Sequence, residues 1–187
     1  SLFSKNKDSL VYTAYSNMKK TLALSTVSFD AFLLDFMPLT YGLEIVLAND
    51  SEIKNIKELA ELIKREKPES LTFAAPSRFK QYLEYEEFAE QMPNLRYIAI
   101  GGEMVPQDLI SRLLEYPDLD VYNIYGPTET TVICNAHKMA DGEEITIGKA
   151  LHNCITEVRD IDGKLLPSGV MGELYIGGNG VARGYYN

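Results

Sequence analysis

The stretch Asn-Ile-Tyr-Gly-Pro-Thr-Glu-Thr-Thr at 123–131 holds more chemistry per residue than any other part of this 187-residue chain. A β-type run at 119–125 feeds a Gly-Pro turn, where Gly126 permits close backbone approach and Pro127 sets the local φ. Directly after it, Thr128 offers a hydroxyl to a phosphate oxygen, and Glu129 offers a carboxylate to a hard divalent cation such as Mg2+. Tyr125, just ahead of the turn, presents a flat ring on which a purine can stack. Ring, phosphate donor and cation ligand in one short stretch make a nucleotide site one reading of this turn. An ordinary strand-to-loop turn is the other, because Gly-Pro pairs are common turn formers.

The elements that must position this turn alternate. β-prone runs fall at 21–29, 44–48, 71–75, 95–100 and 119–125. Between them come helical segments: an apolar one at 31–39 closed by Gly42, one in which Ile56, Leu59, Ala60 and Ile63 share a face, one from Ser77 as N-cap to about residue 91, and one opening at Pro106. This alternation predicts an α/β fold with a mostly parallel sheet flanked by helices. Ligands of such sheets sit beyond the carboxyl ends of the strands. Three loops lie there: Phe29-Asp30, Gly101-Gly102-Glu103, and Gly126 to Glu129. Asp30 either caps the following helix or places a carboxylate at a pocket floor for a cationic group such as an ammonium. The glycine pair is either a flexible strand exit or a bare backbone against which a flat ring can lie. Taken together, the three loops favour ATP and an amine-bearing substrate.

Beyond about residue 132 the pattern changes to short strand candidates at 132–137, 144–147, 155–161 and 173–176, separated by Gly-containing turns of hairpin type. This predicts the start of a smaller β-rich subdomain. The expected division is a poorly defined N-terminal segment at 1–19, an α/β subdomain at 20–138 holding the substrate pocket and part of the ATP site, and a β-rich subdomain at 139–187, expected to be incomplete.

Composition narrows the partners. A hydrophobic content of 45% supports a packed core, and a net charge of −9 with no basic stripe argues against nucleic acid. Cys134 and Cys154 lack the spacing of a disulfide framework or zinc site and read as small buried residues of a reducing compartment. His137 and His152 are not grouped with other metal ligands. No apolar run reaches the ~18 residues of a membrane span, and the N-terminus lacks a signal-peptide pattern, so the expected location is cytoplasmic, with no membrane partner.

Four segments carry a resemblance. Asn-Ile-Tyr-Gly-Pro-Thr-Glu at 123–129 and Gly-Glu-Leu-Tyr-Ile-Gly-Gly-Asn-Gly-Val-Ala-Arg-Gly-Tyr at 172–185 are similar to two signature motifs of nonribosomal peptide synthetase adenylation domains. Ser-Phe-Asp-Ala at 28–31 resembles a third, and Ile-Gly-Gly-Glu at 100–103 the segment between them. The resemblance covers about residues 20–187 and is to the adenylate-forming, AMP-binding enzymes, specifically their amino-acid-activating branch. It implies a ligase that joins an amino-acid carboxylate to ATP, releases pyrophosphate, and passes the aminoacyl group to the phosphopantetheine thiol of a carrier domain. Such domains serve secondary-metabolite biosynthesis within multidomain synthetases, beside peptidyl carrier and condensation domains.

By that resemblance Asp30 binds the substrate α-amino group. Tyr125, Asn123 and the Gly101-Gly102 backbone hold the adenine, with Gly126 in the same turn. Thr128 meets the phosphates and Glu129 ligates Mg2+; these two are the implied catalytic pair. The implied amino-acid pocket is Asp30, Ala31, Leu34, Phe73, Ala99, Gly101, Ile124, Val132 and Ile133. Apart from Asp30, none has a polar side chain, so a charged or amide substrate side chain would lose its water without a partner, at about 1–3 kcal/mol. An apolar amino acid is therefore expected, Leu, Ile or Val ahead of Phe.

The chain also departs from the pattern. Residues 1–19 contain no Gly/Ser/Thr-rich phosphate loop ending in lysine, and the chain stops ahead of the ribose-binding Thr-Gly-Asp motif, the hinge and the C-terminal lid with its lysine. The expectation is a central fragment, inactive alone. Phe32 replaces a small polar residue. Two other functions fit the same fold: an acyl- or aryl-acid CoA ligase, against which Asp30 speaks because a buried carboxylate needs a cation, and a non-catalytic interaction module.

Overall fold

In a computed structural model, residues 15–186 are described. Most of the segment expected at 1–19 lies outside them, though Tyr15 is buried. Strands β1 (Lys20–Ala23), β2 (Glu44–Leu47), β3 (Ser70–Ala74), β4 (Tyr97–Gly101) and β5 (Asp120–Tyr125) form the parallel part of a seven-stranded sheet ordered β2-β1-β3-β4-β5-β6-β7. β6 (Asn135–Lys138) and β7 (Lys149–Ala150) join it antiparallel, so this sheet runs on past residue 138. Because five strands point the same way, the exits of β1, β4 and β5 share one edge. The order reverses at β1, whose neighbours are β2 and β3, which makes the β1/β3 exit a switch point of the kind where ligands bind. A second sheet pairs β8 (Cys154–Arg159) with β9 (Glu173–Gly178), antiparallel.

The helices are α1 (Phe32–Phe36), α2 (Asp50–Lys54), α3 (Ile56–Glu66), α4 (Pro76–Leu83), α5 (Glu86–Ala89) and α6 (Gln107–Leu113). α3 follows its apolar stripe: Leu59, Ala60, Leu62 and Ile63 are buried, and Asn55 caps its start. α1 runs into a 3-10 turn at Met37–Tyr41 that Gly42 closes in the left-handed conformation.

Several boundaries differ from expectation for physical reasons. β1 stops at Ala23, short of residue 29, because Ser25 N donates to the Asp35 carboxylate at 2.8 Å instead of to a strand neighbour. The helix expected from Ser77 to about 91 begins at Pro76, with Ala75 as its cap residue, and breaks into α4, α5 and a 3-10 turn at Met92–Asn94. On a straight helix Phe79 and Phe88 would point to opposite sides. The break lets them meet edge to face at 5.9 Å. α2 is an additional helix that the hydrophobic pattern does not mark; Asn49 and Glu52 form a reciprocal capping box around it. The strand expected at 132–137 starts only at Asn135, and 144–147 is not a strand.

Period-two alternation divides the core between the two sheet faces. Ile98, Ile100 and Val121 pack with α3 to α6, whereas Tyr97, Ala99, Tyr122 and Ile124 pack with α1 and Tyr15. Among the described residues no helix is long and apolar enough to cross a membrane.

Candidate functional site

The exit of β1 is held by a buried acid. Asp35, on α1, accepts from Ser25 N and from the Thr72 hydroxyl of β3, and burial pushes its carboxyl above the usual value against the pull of these donors. This ties α1 to β1 and β3 and aims Ala31 and Leu34 at the sheet. Asp30 makes no side-chain cap, since the residue preceding α1 is Ala31 and its cap carries no side-chain hydrogen bond. The Asp30 side chain instead lines a hollow. Phe32 packs at a tilt against Phe36, ring centres 4.5 Å apart, and is not among the residues lining that hollow.

The hollow measures about 300 Å3, counting space open to solvent, and brings together seven of the nine expected pocket residues: Asp30, Ala31, Leu34, Phe73, Ile124, Val132 and Ile133. Phe29, whose ring is tilted against that of Phe73 with centres 6.1 Å apart, and Gly102 and Gly126 complete it. Asp30 is the one charged residue in that lining. Ala99 lies deeper, in an inner hollow that shares Leu34, Ile124 and Ile133 with the outer one and is floored by Thr72, Tyr97 and Tyr122. Gly101 pairs with Ile124 at the end of β4. Sequence reasoning missed the inner residues. Tyr97 with Ala99, and Tyr122 with Ile124, are two apart on neighbouring strands, a spacing that could have found them. Burial and Asp120 push the Tyr122 hydroxyl up to about 12, and burial raises Tyr97 and Tyr15 as well, so all three stay neutral.

The side chains of β5 alternate between the two faces of the sheet. Ile124 faces the hollow, and Asn123 and Tyr125 fall on the other face. Asn123 is buried and donates to the Thr146 carbonyl at 2.8 Å, so its amide is engaged with the segment ahead of β7. Tyr125 is half-buried at the rim. Gly126 must be glycine: a Cβ there would lie 2.4 Å from Ile133 Cα, where the chain crosses back before β6. A 3-10 turn at Thr128–Thr130 then leaves Thr128 and Glu129 exposed at the strand exits. The Tyr185 hydroxyl donates to Glu129 and holds its carboxyl below the ordinary value.

This donor set suits a cation that arrives with phosphates. Among the described residues no group of three or more His, Cys, Asp or Glu could hold a metal by itself. A single carboxylate with a neighbouring hydroxyl leaves most positions to water and phosphate oxygens, the usual environment of Mg2+. Glu103 is used structurally. Its two carboxylate oxygens accept from Ser77 N at 3.1 Å and Ser77 Oγ at 3.0 Å, clasping the Gly101-Gly102 loop to the start of α4. Both cysteines are free.

Residues 6–186 match the family model described as AMP-binding enzyme. The chain is 42% identical over 169 residues to the PKS-NRPS hybrid synthetase acdB of Aspergillus candidus, covering 90% of this chain and 7% of that protein. It is 36% identical over 171 residues to tyrocidine synthase 3 of Brevibacillus parabrevis, covering 90% of this chain and 3% of the other. Among solved structures, a holo four-domain nonribosomal peptide synthetase bound to AMP and glycine superposes with a TM-score of 0.80 at 32% identity, over 90% of this chain and 12% of that one. A holo nonribosomal peptide synthetase protein containing adenylation and PCP domains, bound to a vinylsulfonamide inhibitor, gives 0.83 at 29% identity, over 93% and 31%. The chain thus spans a small part of the relatives it matches.

Proposed function

Because the chain belongs to the AMP-binding enzyme family, we propose that its site activates an apolar α-amino acid as the aminoacyl adenylate. The observation that carries this reading is the lining of the outer hollow, apolar except for the single carboxylate of Asp30. Asp30 is half-buried and keeps part of its water while the hollow is empty. A ligand filling the hollow removes that water, which is costly unless it brings a cation, and the α-ammonium of an amino acid is such a cation. With the ammonium at Asp30, the substrate side chain lies against Leu34, Phe73, Ile124 and Ile133, and its carboxylate faces the loops at the strand exits.

In the proposed reaction that carboxylate attacks the α-phosphorus of ATP and pyrophosphate leaves. Tyr125 and the Gly101-Gly102 backbone hold the adenine in place, Asn123 can offer the adenine edge only its Oδ1 because the amide nitrogen is bonded to the Thr146 carbonyl, and Thr128 donates to a phosphate oxygen. Glu129 would hold Mg2+, which supplies charge neutralisation at the phosphates when bound. The apolar walls keep water from competing with the carboxylate. In the full-length protein the aminoacyl group would pass to the phosphopantetheine thiol of a carrier domain, with a condensation domain beside it, in the cytoplasm. The branched Ile124, Val132 and Ile133 narrow the space while Ala31, Ala99 and Gly101 widen it, which favours Leu, Ile or Val over Phe.

Amino-acid-dependent ATP–pyrophosphate exchange by the full-length protein tests this. Exchange should be greatest with Leu, Ile or Val. A preference for Asp, Glu, Lys or Gln would overturn the pocket, and exchange supported only by carboxylic acids lacking an amine would make the protein an acyl- or aryl-acid ligase.

A further inference from the structure

The second signature stretch, at 172–185, has no role in the reaction above, yet its end is fastened to the turn that carries Glu129. Three hydrogen bonds make the attachment. Ala182 N donates to Glu129 O at 2.7 Å, Thr131 Oγ1 donates to Gly180 O at 2.7 Å, and the Tyr185 hydroxyl donates to Glu129 Oε1. The approach is close enough to exclude side chains: a Cβ on Gly180 would lie 2.7 Å from the Thr130 carbonyl oxygen. These bonds link residues far apart in sequence, so they come from the tertiary fold.

What they grip is a strained piece of backbone. Thr131 and Val132 stand at φ 67° and 68°, the left-handed region, which β-branched residues avoid. Such a conformation persists only where surrounding structure over-determines it. Val132 lines the substrate hollow, and Glu129 lies two residues before the strained pair. A clamp on this turn therefore acts on both sites.

We propose that Tyr185 is a positioning residue for Glu129, its hydroxyl fixing one carboxylate oxygen so that the other is presented to the divalent cation that accompanies the nucleotide. The inference rests on the reading of Glu129 as that cation's ligand. The chemistry is the usual one for a ligating carboxylate: an exposed Glu side chain samples several rotamers, and an outer hydrogen-bond donor restricts them. Ala182 N, bonded to the Glu129 carbonyl, holds the segment bearing the phenol at a fixed distance from the carboxylate it serves. Tyr185 is 84% exposed, so its ring contributes little packing and its hydroxyl can be removed without opening a cavity.

The test is equilibrium binding of ATP to the full-length protein by calorimetry, once with Mg2+ and once with excess EDTA, for wild type, Tyr185→Phe, Glu129→Gln and the double variant. Tyr185→Phe should weaken binding about tenfold with Mg2+ and leave binding in EDTA unchanged. In the Glu129→Gln background the same change should have no further effect with Mg2+, since the two residues act as one unit. Equal binding by Tyr185→Phe and wild type in both conditions would overturn the inference. So would equal weakening in both, which would make Tyr185 a structural support only. Wild-type binding that does not depend on Mg2+ would instead overturn the assignment of Glu129, and the inference with it.

Discussion

One face of the large sheet lies under α3, α4, α5 and α6, and its interior is a cluster of aliphatic and aromatic side chains such as Leu59, Ile63, Phe79, Ile98, Ile100 and Leu113, all fully buried. The other face lies under α1 and Tyr15, and its interior contains two adjoining hollows, three buried tyrosines, and the Asp35 carboxylate bonded to Thr72. The same strands build both faces by alternation, so the difference comes from what covers them. The helix-covered face supplies rigidity and fixes where the strand exits stand. The other face, which among the described residues lies under α1 and Tyr15, keeps free volume and buried polar groups, which a packed core would exclude. A site that must hold a substrate to a fraction of an ångström needs both: a stiff back and a front with room in it.

The two faces should respond differently to substitution. The largest loss of stability should come from the helix-covered face: Phe79→Ala removes a fully buried ring between Tyr82 and Phe88 and should cost about 3–5 kcal/mol in urea denaturation. The order of preferred amino acids should not change. On the site face, Ala99→Val adds methyl groups beside the inner hollow and should cost only about 1 kcal/mol in the same measurement. Its effect should appear in selectivity instead, lowering exchange with the longer amino acids relative to the shorter by about tenfold.

The smallest effect concerns Asp35. Burial raises its carboxyl from the ordinary 3.8, so the folded protein binds that proton more tightly than the unfolded chain does. Stability from this group is present in full below about pH 3.8 and falls as pH rises through the higher folded value. Asp35→Asn, which cannot ionise, should flatten that decline. Urea denaturation at a series of pH values from acid to neutral gives the slope directly, and an unchanged slope in Asp35→Asn would show that another group sets it.

What can be read from the sequence follows the range of the interactions involved. β4, β5 and α3 are marked by local periodicity, and each lies within two residues of its expected place. Seven pocket residues that the resemblance implies do line one hollow, because α1 and the exits of β3 and β5 converge there. Three features that local pattern does not show come from packing and pairing. β1 is cut short by Asp35, a helix away; the 77–91 helix is broken so that Phe79 can meet Phe88; and Tyr185 reaches Glu129 from beyond β9. α2 is too short for periodicity to mark. The sequence leaves Asp30 open between a cap and a pocket floor; the turn at the start of α1 has no side-chain cap, and Asp30 lies in the lining of the outer hollow.

At the centre of the proposed chemistry the Asp30 carboxylate meets a substrate ammonium among apolar walls, and one substrate pair isolates that contact. ATP–pyrophosphate exchange should be measured in the full-length protein with leucine and with 4-methylpentanoate, which keeps leucine's carbon skeleton and carboxylate but lacks the amine, for wild type and Asp30→Ala. A desolvated ion pair predicts that wild type favours leucine by at least about a hundredfold and that Asp30→Ala loses most of this preference by losing leucine. Equal preference for leucine in both proteins would refute the ion pair, because the amine would then be recognised elsewhere.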